Sequence, residues 1–314
     1  MRAIVLHRTG DVEKLVYEDV IPPVLSDNEV LVEVKAIGIN PIDYKVRKNE
    51  DVLHMIYGED YPAVLGWDIA GVIVASGSSV VSLKKGDRVF GMINFPGRGK
   101  AYADYVAAPE NHLAVIPESI SFETAAATTL AALTALQVFK NRLHNGDKIL
   151  ILAGSGGVGH FAIQMAKAQG AHVITTCSAK NREFVMGLGA DQHIDYHNEA
   201  IETLLSDMDM VLDCVGGEQY LLNAIEVTKS GGKIVSLPSP QFSEAVLAAA
   251  KAKELDLSFE MVESNGEDMN QLKALLEEGK LKPHISHTFE FEEMRKAHTQ
   301  LETGRTVGKI VITR

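Results

Sequence analysis

Apolar positions along the chain follow two rhythms. From residue 1 to about 117 they form short runs, at 3–6, 30–36, 71–76, 88–91 and 102–107, between turn residues such as Pro22-Pro23, Gly86-Asp87 and Pro96-Gly97. Runs of this kind predict short strands closing into a small, barrel-like, β-rich domain. Residues 121–142 switch to a helical period, very rich in alanine, with an apolar face broad enough to lie between two domains. From Gly146 strand and helix alternate, with strands near Lys148, His172, Gln192, Met208, Gly232 and Asp256. Such alternation predicts an α/β fold with a doubly wound parallel sheet. The tail predicts a helix at 269–278, then extended segments and a closing strand at 309–313. That ending matches the first part better than the second, so the predicted domains are 1–120 with 268–314, and 121–267.

Chemistry concentrates at 148–159. The short apolar run Ile149-Leu150-Ile151-Leu152 breaks into Ala153-Gly154-Ser155-Gly156-Gly157-Val158-Gly159, a G-x-G-x-x-G at Gly154, Gly156 and Gly159. A helical segment at 158–169 and an apolar strand at 172–176 follow. In a strand, turn, helix, strand unit the glycines let backbone approach a pyrophosphate, and the helix N-terminus supplies free N–H groups. Gly154, Ser155, Gly156, Gly157, Val158 and Gly159 are therefore candidate dinucleotide-binding residues. About twenty residues on, an NAD site of this type carries an Asp or Glu for the ribose hydroxyls. Here the chain reads Thr175-Thr176-Cys177-Ser178-Ala179-Lys180-Asn181-Arg182, with no acid. Ser178, Lys180 and Arg182 offer a hydroxyl and two cations to a 2′-phosphate, which predicts NADPH. In the plainer reading Lys180 and Arg182 open a solvated helix.

Composition narrows the classes. A chain of 314 residues has room for two domains. The net charge of −12 argues against nucleic acid or an anionic membrane as a general partner. No stretch approaches the roughly 20 apolar residues of a membrane span, and the first apolar run is too short for a signal peptide. Two cysteines, Cys177 and Cys214, make neither a zinc set nor a disulfide framework, so a reducing cytoplasm is expected.

Several segments, in order over nearly the whole chain, then become recognisable. They are Gly38-Ile39-Asn40-Pro41-Ile42-Asp43, Leu65-Gly66-Trp67-Asp68-Ile69-Ala70-Gly71, Gly86-Asp87-Arg88-Val89, Leu133-Thr134-Ala135, the nucleotide turn, Leu188-Gly189-Ala190-Asp191, Asp213-Cys214-Val215-Gly216-Gly217 and Gly308-Lys309-Ile310-Val311. Together they resemble the medium-chain dehydrogenase/reductase superfamily, and within it the zinc-independent quinone oxidoreductase branch that includes the zeta-crystallins. The resemblance implies a GroES-like catalytic domain built from both chain ends, a Rossmann domain between, NADPH in the cleft, and a homodimer or homotetramer. It also implies Thr134 close to the nicotinamide, Tyr196 on the adenosine phosphate side, and Val215 and Lys309 among the cofactor residues.

Zinc relatives in that superfamily carry a cysteine where this chain has Asn40, and Gly-His-Glu where it has Gly66-Trp67-Asp68. Neither Asn40 nor Trp67 can act as the thiolate or imidazole that zinc requires. His284 and His287 fall in an extended stretch whose residues three apart face opposite sides, so no metal is expected there. Alcohol oxidation then lacks its electrophile, whereas a quinone or enone delocalises incoming charge itself, leaving the protein to position it and exclude water. Candidate substrate-side groups are Asn40 as an amide donor, Tyr44 as a phenol donor, Asp43 as an orienting group and Trp67 as a flat apolar wall. Plainer roles are a turn cap for Asn40, a helix cap for Asp43 and core for Trp67. Lys45 and Asp51 stand near where the family often has substrate-side tyrosines. The expected activity is NADPH:quinone oxidoreduction. The alternatives are 2-alkenal, enone or enoyl reduction, and NADPH binding without turnover in a sensor or structural role.

Overall fold

The computed structural model describes residues 1–59, 61–238 and 240–314. Contacts divide the chain into two compact units, Met1–Leu133 with Val262–Arg314, and Thr134–Met261.

The first unit holds strands β1 (Arg2–Leu6), β2 (Leu15–Asp19), β3 (Glu29–Ile39), β4 (Ala63–Val64), β5 (Asp68–Ser76), β6 (Arg88–Met92), β7 (Tyr105–Pro109) and β8 (Ala114–Val115). A small antiparallel sheet runs β2-β1-β4. The long strand β3 organises the rest, because alternate residues Val30, Val32, Val34 and Ala36 are buried and both its edges are paired. It pairs antiparallel with β5 and β7. The chain's last strand joins it with Ile310 opposite Ile39 and Thr313 opposite Ala36.

The second unit holds β9 (Lys148–Ile151), β10 (His172–Cys177), β11 (Gln192–Asp195), β12 (Met208–Asp213), β13 (Thr228–Ser236) and β14 (Asp256–Phe259). They form a parallel sheet ordered β11-β10-β9-β12-β13-β14. β9 and β12 are apolar almost throughout, as strands covered on both faces must be. Progress along the sheet reverses after β11, so β9 sits beside the switch point where such sheets bind ligands. The doubly wound reading of the sequence holds. The tail adds β15 (Ile285–Glu290) and β16 (Lys309–Thr313) to the first unit's larger sheet. Among the described residues no helix is long and apolar enough to cross a membrane.

Two helical readings change. The alanine-rich helix is broken into Phe122–Ala127 and Leu130–Phe139. At the break the Thr128 hydroxyl donates to Thr124 O (2.8 Å) and the Thr129 hydroxyl to Ala126 O (2.9 Å), taking carbonyls that a continuing helix would use. The 291–302 region, read as extended, contains the helix Met294–Glu302. Its buried face includes His298, a polar residue that hides the apolar period.

Phe161 is fully buried on the helix Gly159–Ala168 that follows β9. Phe161→Ala should lower the unfolding free energy of the second unit by about 3–5 kcal/mol, measured by urea denaturation.

Candidate functional site

Ala153 turns the chain after β9 through the left-handed region, at φ 58°. The turn is stitched to the end of β10: Ala153 N donates to Thr176 Oγ1 (3.1 Å) and Gly154 N to Thr176 O (2.9 Å). A Cβ on Gly154 would stand 1.9 Å from Thr175 Oγ1, and one on Gly159 would stand 2.4 Å from Ala153 O. Glycine is forced at both positions by close packing. At Gly156 a Cβ would stand 3.2 Å from Ala153 O, a tight contact but less severe than the other two. Buried His160 holds Gly156 through Nδ1 and its carbonyl (2.9 Å). Val158, ahead of the helix, contributes no side-chain cap, while His160 N and Phe161 N already donate to Gly156 O (3.1 Å) and Val158 O (3.1 Å).

Ser178 follows β10, and the Asn181 side chain donates to Ser155 Oγ (3.1 Å), tying this segment to the glycine turn. Lys180 and Arg182 are exposed. An acid missed by sequence reasoning lies next door: Asp195, at the end of β11, pairs in register with Cys177. Its carboxylate accepts from His197 N (3.3 Å) and Asn198 Nδ2 (2.7 Å) in its own turn, and from the Ala179 backbone N–H in the segment that follows β10. Tyr196 is half exposed beside His197. Asp213 Oδ1 accepts from Val215 N and Gly216 N (both 2.9 Å), and Oδ2 from Ser236 Oγ (2.7 Å), fixing the Val215 turn. Burial, with Asp195 adding, pushes the Cys177 thiol to about 11, and burial pushes Cys214 up further. Neither is a ready thiolate at neutral pH. Thr134 is 5% exposed in its helix.

The first unit contains a buried polar cluster that strand register creates. Asp68 opens β5 opposite Gly38, Lys309 opens β16 beside Ile39, and Asn40 follows β3. Asn40 Nδ2 donates to Asp68 Oδ2 (2.7 Å), while Lys309 Nζ donates to Asn40 Oδ1 and to Ile39 O (3.0 Å) and lies 3.8 Å from Asp68 Oδ2. The helix break supplies a further donor, Leu130 N to Asp68 Oδ1 (3.0 Å). Burial lowers the Lys309 pKa, against the pull of Asp68 and Asp43. Asn40 N donates to Asp43 Oδ2 (2.6 Å) at the N-terminus of the helix Pro41–Lys48.

These positions correct three readings. Trp67 is no substrate wall: it is fully buried, Nε1 donates to Gly97 O (2.6 Å), and Phe95 packs edge-on against its ring. Asn40 is 2% exposed, with its oxygen on Lys309 and one of its two amide N–H groups on Asp68. Lys309 gives its ammonium to that cluster. Asp43 is also wholly buried, and among the four substrate-side candidates Tyr44 alone is partly accessible. His287 lies in β15 with Nδ1 2.9 Å from Ser286 Oγ. Among the described residues no group of three or more His, Cys, Asp or Glu is placed to hold a metal.

Known proteins resemble this chain over most of its length. The 2-methylene-furan-3-one reductase of Solanum lycopersicum is 38% identical over 319 residues, spanning 96% of this chain and 76% of that protein. The chain belongs to the medium-chain dehydrogenase/reductase superfamily. Within it the protein falls in the zeta-crystallin-like, quinone oxidoreductase branch. The alcohol dehydrogenase GroES-like domain model matches residues 26–118, and the zinc-binding dehydrogenase model matches 188–312. A chloroplastic NADPH-dependent alkenal/one oxidoreductase of Arabidopsis thaliana is 35% identical, spanning 99% of this chain and 79% of its own. The solved quinone oxidoreductase of Coxiella burnetii superposes with a TM-score of 0.93 at 37% identity, covering 100% of this chain and 99% of that one.

Replacing Lys309 by Met would leave Asp68 charged and unpaired in the interior. Lys309→Met should therefore cost about 3–5 kcal/mol of stability near pH 7 in chemical denaturation. The loss should shrink toward pH 4, because an unpaired buried carboxyl titrates above its unfolded value and is then stable as the neutral acid.

Proposed function

We propose that the protein is an NADPH-dependent, zinc-independent reductase that transfers hydride to a quinone-type conjugated acceptor. The observation that carries this reading is the phosphate cradle after β9 joined to a strand end, at Ser178, Lys180 and Arg182, that offers cations where an NAD site has an acid. The cradle fits a dinucleotide: Gly154 and Gly159 bring turn and helix together, and the helix that follows starts without a side-chain cap. The nearby Asp195 carboxylate is taken up by N–H groups of His197, Asn198 and Ala179, and the exposed Lys180 and Arg182 supply the cations that a 2′-phosphate needs. NADPH, when bound, supplies the hydride.

On the substrate side a conjugated acceptor carries its own electron sink, so neither thiolate nor imidazole ligands are called for, in keeping with Asn40 and Trp67. The Asn40, Asp68 and Lys309 cluster stiffens the ends of β3, β5 and β16, and Tyr44 is the O–H group we assign to protonation of the reduced acceptor. The family's names support both arms of this chemistry. A quinone is favoured by the Coxiella structure, and the tomato and Arabidopsis relatives favour an enone or alkenal as the second reading. Free Cys177 and Cys214 support a reducing, cytoplasmic setting, and the resemblance supports a homodimer or homotetramer.

Lys180→Ala or Arg182→Ala should weaken NADPH binding about tenfold or more and barely change NADH, since a charge-assisted phosphate contact is worth about 1.5–3 kcal/mol. Equal loss for both nucleotides in titration calorimetry would sink the assignment.

NADPH oxidation should be fast with 1,2- or 1,4-quinones, with alkenals and enones as the discriminating second panel, and saturated alcohols should not reduce NADP at a comparable rate. Tyr44→Phe should lower turnover about tenfold with the melting temperature unchanged, because general acids of this kind contribute roughly 10²–10⁴-fold and water can substitute in part. Failure of every acceptor to oxidise NADPH would return the protein to a binding role.

A further inference from the structure

Two carboxyls and one ammonium share the buried cluster, and their hydrogen bonds are unequal. Asp68 accepts on both oxygens, from Leu130 N and Asn40 Nδ2, with Lys309 3.8 Å away. Asp43 accepts one N–H on Oδ2, and its Oδ1 has no partner at hydrogen-bond geometry although it is fully buried. The groups facing Asp43 are Asp68 from β5, Lys309 from β16, the Asn40 backbone, and the Tyr102 hydroxyl from the segment before β7. Arg47, on Asp43's own helix, turns away to Gly10 O (2.7 Å) and Glu302. Beyond Tyr102 stands buried His298, with Nε2 3.0 Å from the phenolic oxygen and Nδ1 unpartnered.

We propose that Asp43 is a neutral carboxylic acid whose Oδ1–H donates to Tyr102, whose hydroxyl in turn donates to His298 Nε2, and that this chain positions Asn40 through the remaining Asp43 oxygen. One charge pair, Lys309 with Asp68, then serves the cluster, and no buried carboxylate is left half-paired. A charged Asp43 would stand beside the Asp68 carboxylate in a fully buried site, and burial with that like charge outweighs the Asn40 N–H, the Lys309 ammonium and a Tyr102 hydroxyl turned to donate, all of which favour the carboxylate. Burial accordingly raises Asp43 to about 8. The chain locks the proton and does not conduct it. Passing a proton along it would require an imidazolium at His298, and burial together with the Arg47 cation holds that imidazole down at about 3. Asp43 thus acts as a positioning residue, independent of which acceptor the protein reduces.

Thermal unfolding of wild type and Asp43→Asn across pH 4–9 tests this without any substrate. A folded-state proton affinity raised above the unfolded value gives stability that is full below about pH 4 and is lost as pH rises to about 8. Asp43→Asn keeps an acceptor for Asn40 and has no proton to lose. The wild-type unfolding constant should therefore grow relative to that of the variant by about tenfold per pH unit across this window and run parallel above it. Infrared spectra at pH 7 supply the second measurement, on the wild-type fold: a protonated-carboxyl stretch should be present, and Tyr102→Phe should displace it. A pH-independent gap between wild type and Asp43→Asn, or the absence of that stretch, would show an ionised Asp43 and overturn the proposal.

Discussion

The antiparallel pairing of β16 with β3 is the constraint on which the first unit depends. With Ile310 opposite Ile39, the residue before Ile310 is brought level with the residue after Ile39, and Lys309 meets Asn40. A slip of one residue would exchange the faces presented by Ile310, Val311 and Ile312, all three buried, and drive Lys309 away from Asp68. Hydrophobic register and charge pairing therefore specify the same alignment, one through Ile310, Val311 and Ile312, which are buried, the other through the Lys309 ammonium, 3.8 Å from Asp68. Agreement of this kind between packing and polar satisfaction is what makes a buried charge tolerable.

The helix break at Thr128 and Thr129 follows from the same demand. A continuous helix would keep Leu130 N in its own ladder, and Asp68 Oδ1 would lose its donor. Threonine hydroxyls that return to Thr124 and Ala126 let the backbone reset while the carbonyls stay paired, and Leu130 N is delivered to the carboxylate. Local helix continuity is exchanged for satisfaction of one buried anion. The second unit solves its problem differently: its glycine turn needs no charge, because Gly154 and Gly159 remove the two Cβ atoms that would hold β9, β10 and the helix apart.

Much of this was legible from residues 1–314 as a string. The six strands of the parallel sheet stood out because their apolar runs are separated by helical periods, and the closing strand at Lys309–Thr313 stood out because Ile310, Val311 and Ile312 follow a glycine turn. The break at Thr128 was hidden since threonine is tolerated in helices and the signal is an acid 62 residues from Leu130 in sequence. Met294–Glu302 was hidden by His298 on its buried face. Direction was the least legible property. Asn40 and Trp67 stand out where zinc relatives carry ligands, and Lys309 through the resemblance, but composition does not say whether a polar group faces a ligand or another side chain, and here register turns Asn40 and Lys309 toward each other.

That inward turn bears on how a member of this superfamily does without zinc at this position. In the zinc relatives, a cysteine in place of Asn40 and a histidine in place of Trp67 would bind one cation and so tie the end of β3 to the start of β5. Here the tie is made by Asn40 between Lys309 and Asp68, with Trp67 filling the neighbouring volume and anchored to Gly97. The ammonium supplies the positive charge and the amide supplies direction, since its oxygen and nitrogen cannot be exchanged without facing Lys309 with N–H and Asp68 with a lone pair. A metal junction would hold its geometry through coordination bonds; this one holds it through one strand register and a fixed set of protons. The fold can thus retain its junction after the Lewis acid is gone, and a reaction that needs no electrophilic metal, such as hydride transfer to a conjugated acceptor, is the chemistry such a junction leaves open.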